Sequence, residues 1–176
     1  MLYLAIGMRC LIGAVFLVSV LGKTAGRGAY AAFVVSVREL LPLSRTVTRP
    51  AAALVVLGEA AIVPLLALPQ PLAHRTGFAL AAALLTAFTG AVARSLRQGS
   101  RTPCRCFGAS ATPLGPRHLV RNLFLAAGAT AGAVAAGSAG ALHPGGALAA
   151  AFAGLLLGAL VTLLDDLLYL LRPAAV

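Results

Sequence analysis

Charge is what this chain has least of. Four acidic residues, Glu39, Glu59, Asp165 and Asp166, stand beside fourteen basic ones, and charged side chains make up only 10% of 176 residues while 60% are apolar. So little polar material cannot cover a soluble globular surface of this size, which makes lipid the solvent for most of the chain. Cysteine is scarce as well. Cys10, Cys104 and Cys106 are an odd three with one tight pair, and that excludes a framework of several disulfides. A glycine-rich phosphate loop after a strand, a nucleophile elbow and a metalloprotease motif are all missing, so soluble catalysis of the usual kinds has no foothold. The three histidines, His74, His118 and His143, fall in separate loops, and Asp165 and Asp166 are adjacent and so point to different faces of a helix.

What is present is long apolar runs. A spanning helix needs about 20 such residues, and five windows qualify: 2–22, 51–69, 76–95, 119–141 and 146–168. The fifth is set off from the fourth only by His143, Pro144, Gly145 and Gly146, so four spans remain the alternative. The last helix is expected to end at Asp165 and Asp166, with Leu167 to Leu171 leaning along the interface. The first window has no positive start, holds Arg9 inside the apolar run and shows no convincing cleavage site, so it reads as a retained helix rather than a signal peptide. Between the first two spans Tyr30, Phe33, Val34, Val37 and Leu41 recur at helical spacing, while Arg27, Arg38 and Glu39 take other faces; this predicts a short interfacial helix over 28–41. Pro42 and Pro50 bracket the connection into the second span, where a proline near the first turn is tolerated. The fold class is therefore all-α: a polytopic transmembrane bundle of about five helices in a single membrane domain. Gly128, Gly132, Gly154 and Gly158 let helix backbones approach closely within it.

The net charge of +10 does not point to nucleic acid, because the arginines sit in loops between apolar runs rather than along one polar helix. They serve as topology signals. Residues 23–50 hold Lys23, Arg27, Arg38, Arg45 and Arg49, and residues 94–122 hold Arg94, Arg97, Arg101, Arg105, Arg117 and Arg121, eleven of the fourteen basic residues. The positive-inside rule then places both loops in the cytoplasm, with the amino terminus outside and the protein in the bacterial inner membrane.

Three places carry chemistry. The cysteine loop, 96–118, contains Pro103, Cys104, Arg105, Cys106, Phe107 and Gly108. Two thiols one residue apart close only a small ring, and distorted geometry makes a disulfide easier to reduce. Arg101 and Arg105 would stabilise a thiolate and raise the fraction of nucleophile. The alternatives are two unrelated small residues in a glycine-containing turn, or a zinc site, for which only His118 or His74 could join the two sulfurs. Glu59 lies about nine residues into the second span, where a carboxylate needs a partner; it is either a structural ion pair or protonated acid, or a proton acceptor and quinone-head contact. Lys23, Arg121 and Asn122 stand at helix ends on the basic side, where the cysteine loop folds back, and as a group they would bind an anionic head group or hold that loop. Arg9 is expected to snorkel to the opposite interface. Cys10, about 20 Å from the cysteine loop by helical rise, reads as a packed core thiol.

These residues, in order, carry a resemblance. Arg9, Gly13, Val15, Phe16, Leu17, Ser19 and Lys23, then Leu41 and Pro42, Glu59, Phe88 and Thr89, Cys104, Cys106, Phe107 and Gly108, and finally Arg121 and Asn122 resemble the methylamine utilisation protein MauE family, within the wider DoxX-like group of small bacterial membrane proteins. The resemblance implies an accessory protein for maturation of the disulfide-rich methylamine dehydrogenase. By analogy with membrane thiol oxidases, Cys104 and Cys106 would exchange a disulfide with a redox carrier or a client subunit, and Glu59 would lie near a quinone; no cofactor is otherwise evident. Arg105, Phe107, Gly108, Lys23, Arg121 and Asn122 would support that pair. The expected partners are the lipid bilayer and a protein, not nucleic acid. A noncatalytic assembly factor and, less attractively for lack of an internal repeat, a small transporter stay open beside a thiol–disulfide oxidoreductase. The charge asymmetry and oxidative maturation also pull apart, since disulfides persist on the outer side.

Overall fold

The computed structural model describes residues 1–41, 44–99, 115–138 and 142–170, with side chains in the last stretch described to residue 163. Among the described residues every regular element is helical: α1 Leu2–Thr24, α2 Ala29–Leu40, α3 Arg45–Ala67, α4 Pro71–Arg97, α5 Pro116–Ala135 and α6 Pro144–Leu170. Proline opens α4, α5 and α6, where its fixed φ suits a first turn and its missing N–H costs nothing. Gly26 and Gly28, at φ +115° and +86°, make the left-handed turn from α1 into α2 that a residue with a Cβ would strain.

Four helices, α1, α3, α4 and α6, are long and apolar enough to cross a membrane. α5 is 20 residues long, but its first two turns carry Arg117, His118, Arg121 and Asn122, which lowers its hydropathy. It nonetheless packs against α4 and α1.

Close approaches at glycines give the directions. Gly77 sits against Leu65 and Leu66 and Gly58 against Leu84, so α3 and α4 are antiparallel; Gly132 against Phe78 makes α5 antiparallel to α4. Arg9 beside Leu66 and Ser19 beside Glu59 make α1 antiparallel to α3. Tyr3 meets Gly146, Gly7 meets Ala150 and Gly154, and Ala14 meets Gly158, so α6 runs parallel to α1. Five helices therefore alternate in direction along the chain, and the start of α1 and the end of α6 lie at opposite ends of the bundle.

The core is formed by α1, α3, α4 and α5, through Ile12, Val15, Phe16, Ile62, Phe78, Leu85 and Leu125. α6 leans on α1, backbone nearly touching backbone at Gly7 and Gly154, and turns Leu148, Phe152, Leu156 and Leu160 outward. That outward face is the expected lipid-facing surface of a bundle whose helices associate through small residues.

Three features depart from the sequence reading. α3 begins at Arg45, six residues before the apolar window, because the Thr48 N–H and hydroxyl both bond the Ser44 carbonyl and wind a first turn ahead of Pro50, which is left inside the helix. α6 continues through Asp165 and Asp166 to Leu170 instead of breaking there. α2 is more than a helix lying on a surface: Phe33 and Val37 form a cluster with Ala52 of α3, and Phe33 covers a buried charge.

Candidate functional site

Lys23 occupies the last turn of α1, yet its side chain is 1% exposed, and Glu59 on α3 is 0% exposed. The two meet inside the bundle. Lys23 Nζ donates to both carboxylate oxygens at 2.6 Å and to Ser19 Oγ at 2.7 Å, while Ser19 Oγ donates to Glu59 Oε1 at 3.3 Å. Helical spacing explains the pair on α1. Side chains tilt toward a helix's amino end, so Lys23 reaches back one turn to Ser19, four residues earlier on the same face. Antiparallel packing supplies Glu59. Two aromatic rings complete the enclosure, with Nζ 4.8 Å from the Phe33 centroid and 5.8 Å from that of Phe88. Both distances lie within the range in which a ring face attracts a cation.

The helix registers extend this cluster to α5. Ser19 is level with Glu59, Gly58 faces Leu84, and Phe78 faces Gly132. Carried one turn toward the basic end, these registers bring Lys23, Phe88 and Asn122 to one level. Asn122 is 1% exposed, and its Oδ1 has no hydrogen-bond partner among the described residues. One turn further along α5 lies His118, also buried, and Arg121, the residue next to Asn122, brings its Nη2 to 3.4 Å from His118 Nδ1. Nearby on α4, Ser95 Oγ is a second buried atom without a described partner. A polar seam thus runs from Ser19 and Glu59 to the end of the bundle from which the cysteine-bearing connection between α4 and α5 springs. Cys104, Arg105, Cys106, Phe107 and Gly108 lie outside the described residues.

The structure gathers Glu59, Lys23 and Asn122, with Arg121 beside Asn122 on α5, into a single region, whereas the sequence alone sets Glu59 apart from the other three. Lys23, at the end of the first span, reads from sequence as one of the basic loop charges, which conceals it as the partner of Glu59. Ser19, Phe33 and Phe88 were likewise not read as part of the site. The available signal was Ser19 and Lys23 at i, i+4 in the first span, with a lone acid in the second. With Lys23 buried, ten basic residues rather than eleven remain on the two basic loops.

The opposite end is organised differently. Arg9 Nε donates to the Leu66 carbonyl at 2.9 Å, capping the end of α3, where a cation also meets the negative end of the helix dipole. His74 pairs with the Leu68 carbonyl beyond that helix end at 2.5 Å. His74 therefore stands at the far end of α4 from His118, and the two cannot share a metal with one pair of sulfurs. Cys10 is a free, half-buried thiol that lines a 370 Å³ groove with Arg9, Gly13 and Leu155, rather than a fully packed core residue.

Fold and site together define a small polytopic membrane protein: a helical bundle with a buried, aromatic-covered ion pair under its basic end. The chain belongs to the methylamine utilisation protein MauE family, whose model matches residues 1–136, from α1 through α5. α6 lies beyond the match, in keeping with its place on the outside of α1. No curated protein and no solved structure matches the chain.

Proposed function

We propose that this protein is a membrane accessory factor for methylamine utilisation, and that its chemistry is thiol–disulfide exchange by Cys104 and Cys106 with a client or carrier protein. The observation that carries this reading is the buried Lys23–Glu59 pair, continued by Asn122, His118 and Arg121 toward the end of the bundle that holds the cysteine connection. Charged groups are costly at such depth unless structure or function demands them. A client dithiol would attack the Cys104–Cys106 disulfide, pass through a mixed disulfide and leave as its own disulfide, with Cys104 and Cys106 reduced to thiols. Arg105 would favour the thiolate. A quinone, brought in by analogy with membrane thiol oxidases, would accept the two electrons and two protons that restore the disulfide. Asn122 Oδ1, buried and lacking a described donor, would suit a hydroxyl such as a quinol presents, and Glu59, the buried carboxylate bonded to Lys23, would hold a proton. On the positive-inside rule the site faces the cytoplasm of a bacterial inner membrane.

A noncatalytic assembly factor is the second reading, favoured by how completely Lys23 and Glu59 satisfy one another: such a pair fixes helix register without reacting.

The test is gel-shift labelling of Cys104 and Cys106 in a Cys10→Ser background with a membrane-impermeant maleimide. Intact spheroplasts and opened membranes are compared, with and without prior reduction. Labelling only after opening and reduction supports a cytoplasm-facing disulfide. Labelling of reduced, intact spheroplasts reverses the orientation and favours maturation outside. Free thiols under every growth condition sink the exchange chemistry and leave the assembly factor.

A further inference from the structure

A second basic site lies away from the ion pair, in the angle between α2 and the start of α3. There Arg38, Arg45 and Arg49 line a 490 Å³ cavity with Val34, Val35 and Thr46. Its volume falls within the range of about 300–1,000 Å³ typical of small-molecule sites. Among the described residues the sole ion pair is Lys23–Glu59, so no described carboxylate neutralises these three arginines. The walls are held in place: Tyr30 donates its hydroxyl to the Arg49 carbonyl at 3.1 Å, and Phe33 and Val37 pack α2 on Ala52. Three arginines lining one cavity with no described carboxylate paired to them call for an anion, and the planar fork of a guanidinium matches phosphate oxygens.

Depth selects the kind of anion. α3 has 23 residues, about 34 Å at 1.5 Å per residue, against a hydrocarbon core of about 30 Å. Arg45 and Arg49, in its first turns, therefore stand at the level of lipid phosphates. Val35 and Val47 are about half exposed beside them and offer apolar surface where acyl chains begin. Basic pockets between helices at this level are the usual receptors for anionic head groups.

We infer that the cavity between α2 and α3 binds the phosphate of an anionic glycerophospholipid through Arg38, Arg45 and Arg49. The lipid bridges the covering helix α2 to α3, on the side of α2 away from the Phe33 ring that covers Lys23. This inference does not depend on the thiol chemistry, nor on which membrane face is basic, since phosphates line both.

The test is native mass spectrometry of the full chain in mild detergent, titrated with phosphatidylglycerol, phosphatidylcholine or inorganic phosphate. Wild type should retain one phosphatidylglycerol in preference to phosphatidylcholine. Arg45→Gln with Arg49→Gln should weaken that retention about thirtyfold, the equivalent of about 1 kcal/mol for each arginine near an anionic surface. Arg94→Gln with Arg97→Gln, which removes two arginines from the end of α4, should leave it within about threefold of wild type. These arginines are exposed in the described structure, so the variants should fold, and unchanged far-ultraviolet circular dichroism verifies it. Equal loss in both double variants would mean diffuse attraction and overturn the site. Equal retention of phosphatidylcholine, or displacement of the lipid by inorganic phosphate, would overturn the anionic lipid as its ligand.

Discussion

Removing one partner of the Lys23–Glu59 pair should cost far more stability than removing both. In Glu59→Leu the Lys23 ammonium keeps Ser19 and two aromatic rings but loses both carboxylate contacts at 2.6 Å while remaining 1% exposed. Breaking a buried pair in this way costs about 3–5 kcal/mol. The rings cannot make up the difference, since a desolvated cation–π contact is worth about 2 kcal/mol and both are already present in the native protein. Lys23→Met should be destabilised similarly, through a stranded Glu59. The double variant Lys23→Met with Glu59→Leu removes both charges and fills the same volume, and should return to within about 1–2 kcal/mol of wild type. The coupling energy from this cycle should exceed about 3 kcal/mol, well beyond the few tenths expected of independent sites. Reversible unfolding in mixed micelles, followed by far-ultraviolet circular dichroism, measures it. Additivity within about 0.5 kcal/mol would refute the argument, because it would mean that Lys23 reaches water or another carboxylate as easily as it reaches Glu59.

The same double variant separates stability from function. If the buried pair takes part in thiol exchange, Lys23→Met with Glu59→Leu folds but no longer cycles Cys104 and Cys106 between oxidised and reduced forms in the labelling assay; normal cycling assigns the pair a purely structural role. Asn122→Leu should be neutral or mildly stabilising in the unfolding assay, because it removes a buried acceptor without a described partner; a loss of more than about 2 kcal/mol would show that Oδ1 is satisfied by a donor. Gly154→Ile should dislodge α6, since even a Cβ there meets the Gly7 carbonyl and the Cys10 side chain; the expected cost is about 1–3 kcal/mol. Faster maleimide labelling of Cys10 reports it, and Gly145→Ala, with open space around it, should leave the rate unchanged. Arg9→Leu should cost about 1–2 kcal/mol through loss of the charged hydrogen bond that caps α3, and an unaffected midpoint would mean that the Leu66 carbonyl finds another donor.

Much of the fold was legible in the sequence because the bilayer imposes a one-dimensional rule: about 20 apolar residues per crossing. Windows 2–22 and 76–95 each fall within an observed helix and 51–69 runs two residues past the end of α3, and the 3.6-residue spacing of Phe33 and Val37 marks the face of α2 that the structure buries. The sequence marked Gly132, Gly154 and Gly158 as places where helices can pack closely, and the structure supplies the partners, α1 for Gly154 and Gly158 and Phe78 for Gly132. Helix ends were less legible, since a hydroxyl bonding back to Ser44 extends α3 through a stretch with little hydropathy to mark it.

The site divides the same way. The sequence by itself determined that this is a membrane bundle with a basic end, that Glu59 needed a partner, and that one cysteine pair was the only tight one. Those conclusions rest on properties local to a stretch of chain: hydropathy, charge and spacing. Only the tertiary structure decided that Lys23 is that partner, because the choice depends on how α1 and α3 are rotated and staggered against each other, and 36 residues of chain separate the two. The enclosure by Phe33 and Phe88 and the alignment of Asn122 depend on the same packing, as does the convergence of Arg38 with Arg45 and Arg49. A charge at the end of a span can face either water or the core, and local sequence does not distinguish them; the neighbouring helices supply the carboxylate and the rings that make burial of Lys23 the lower free energy.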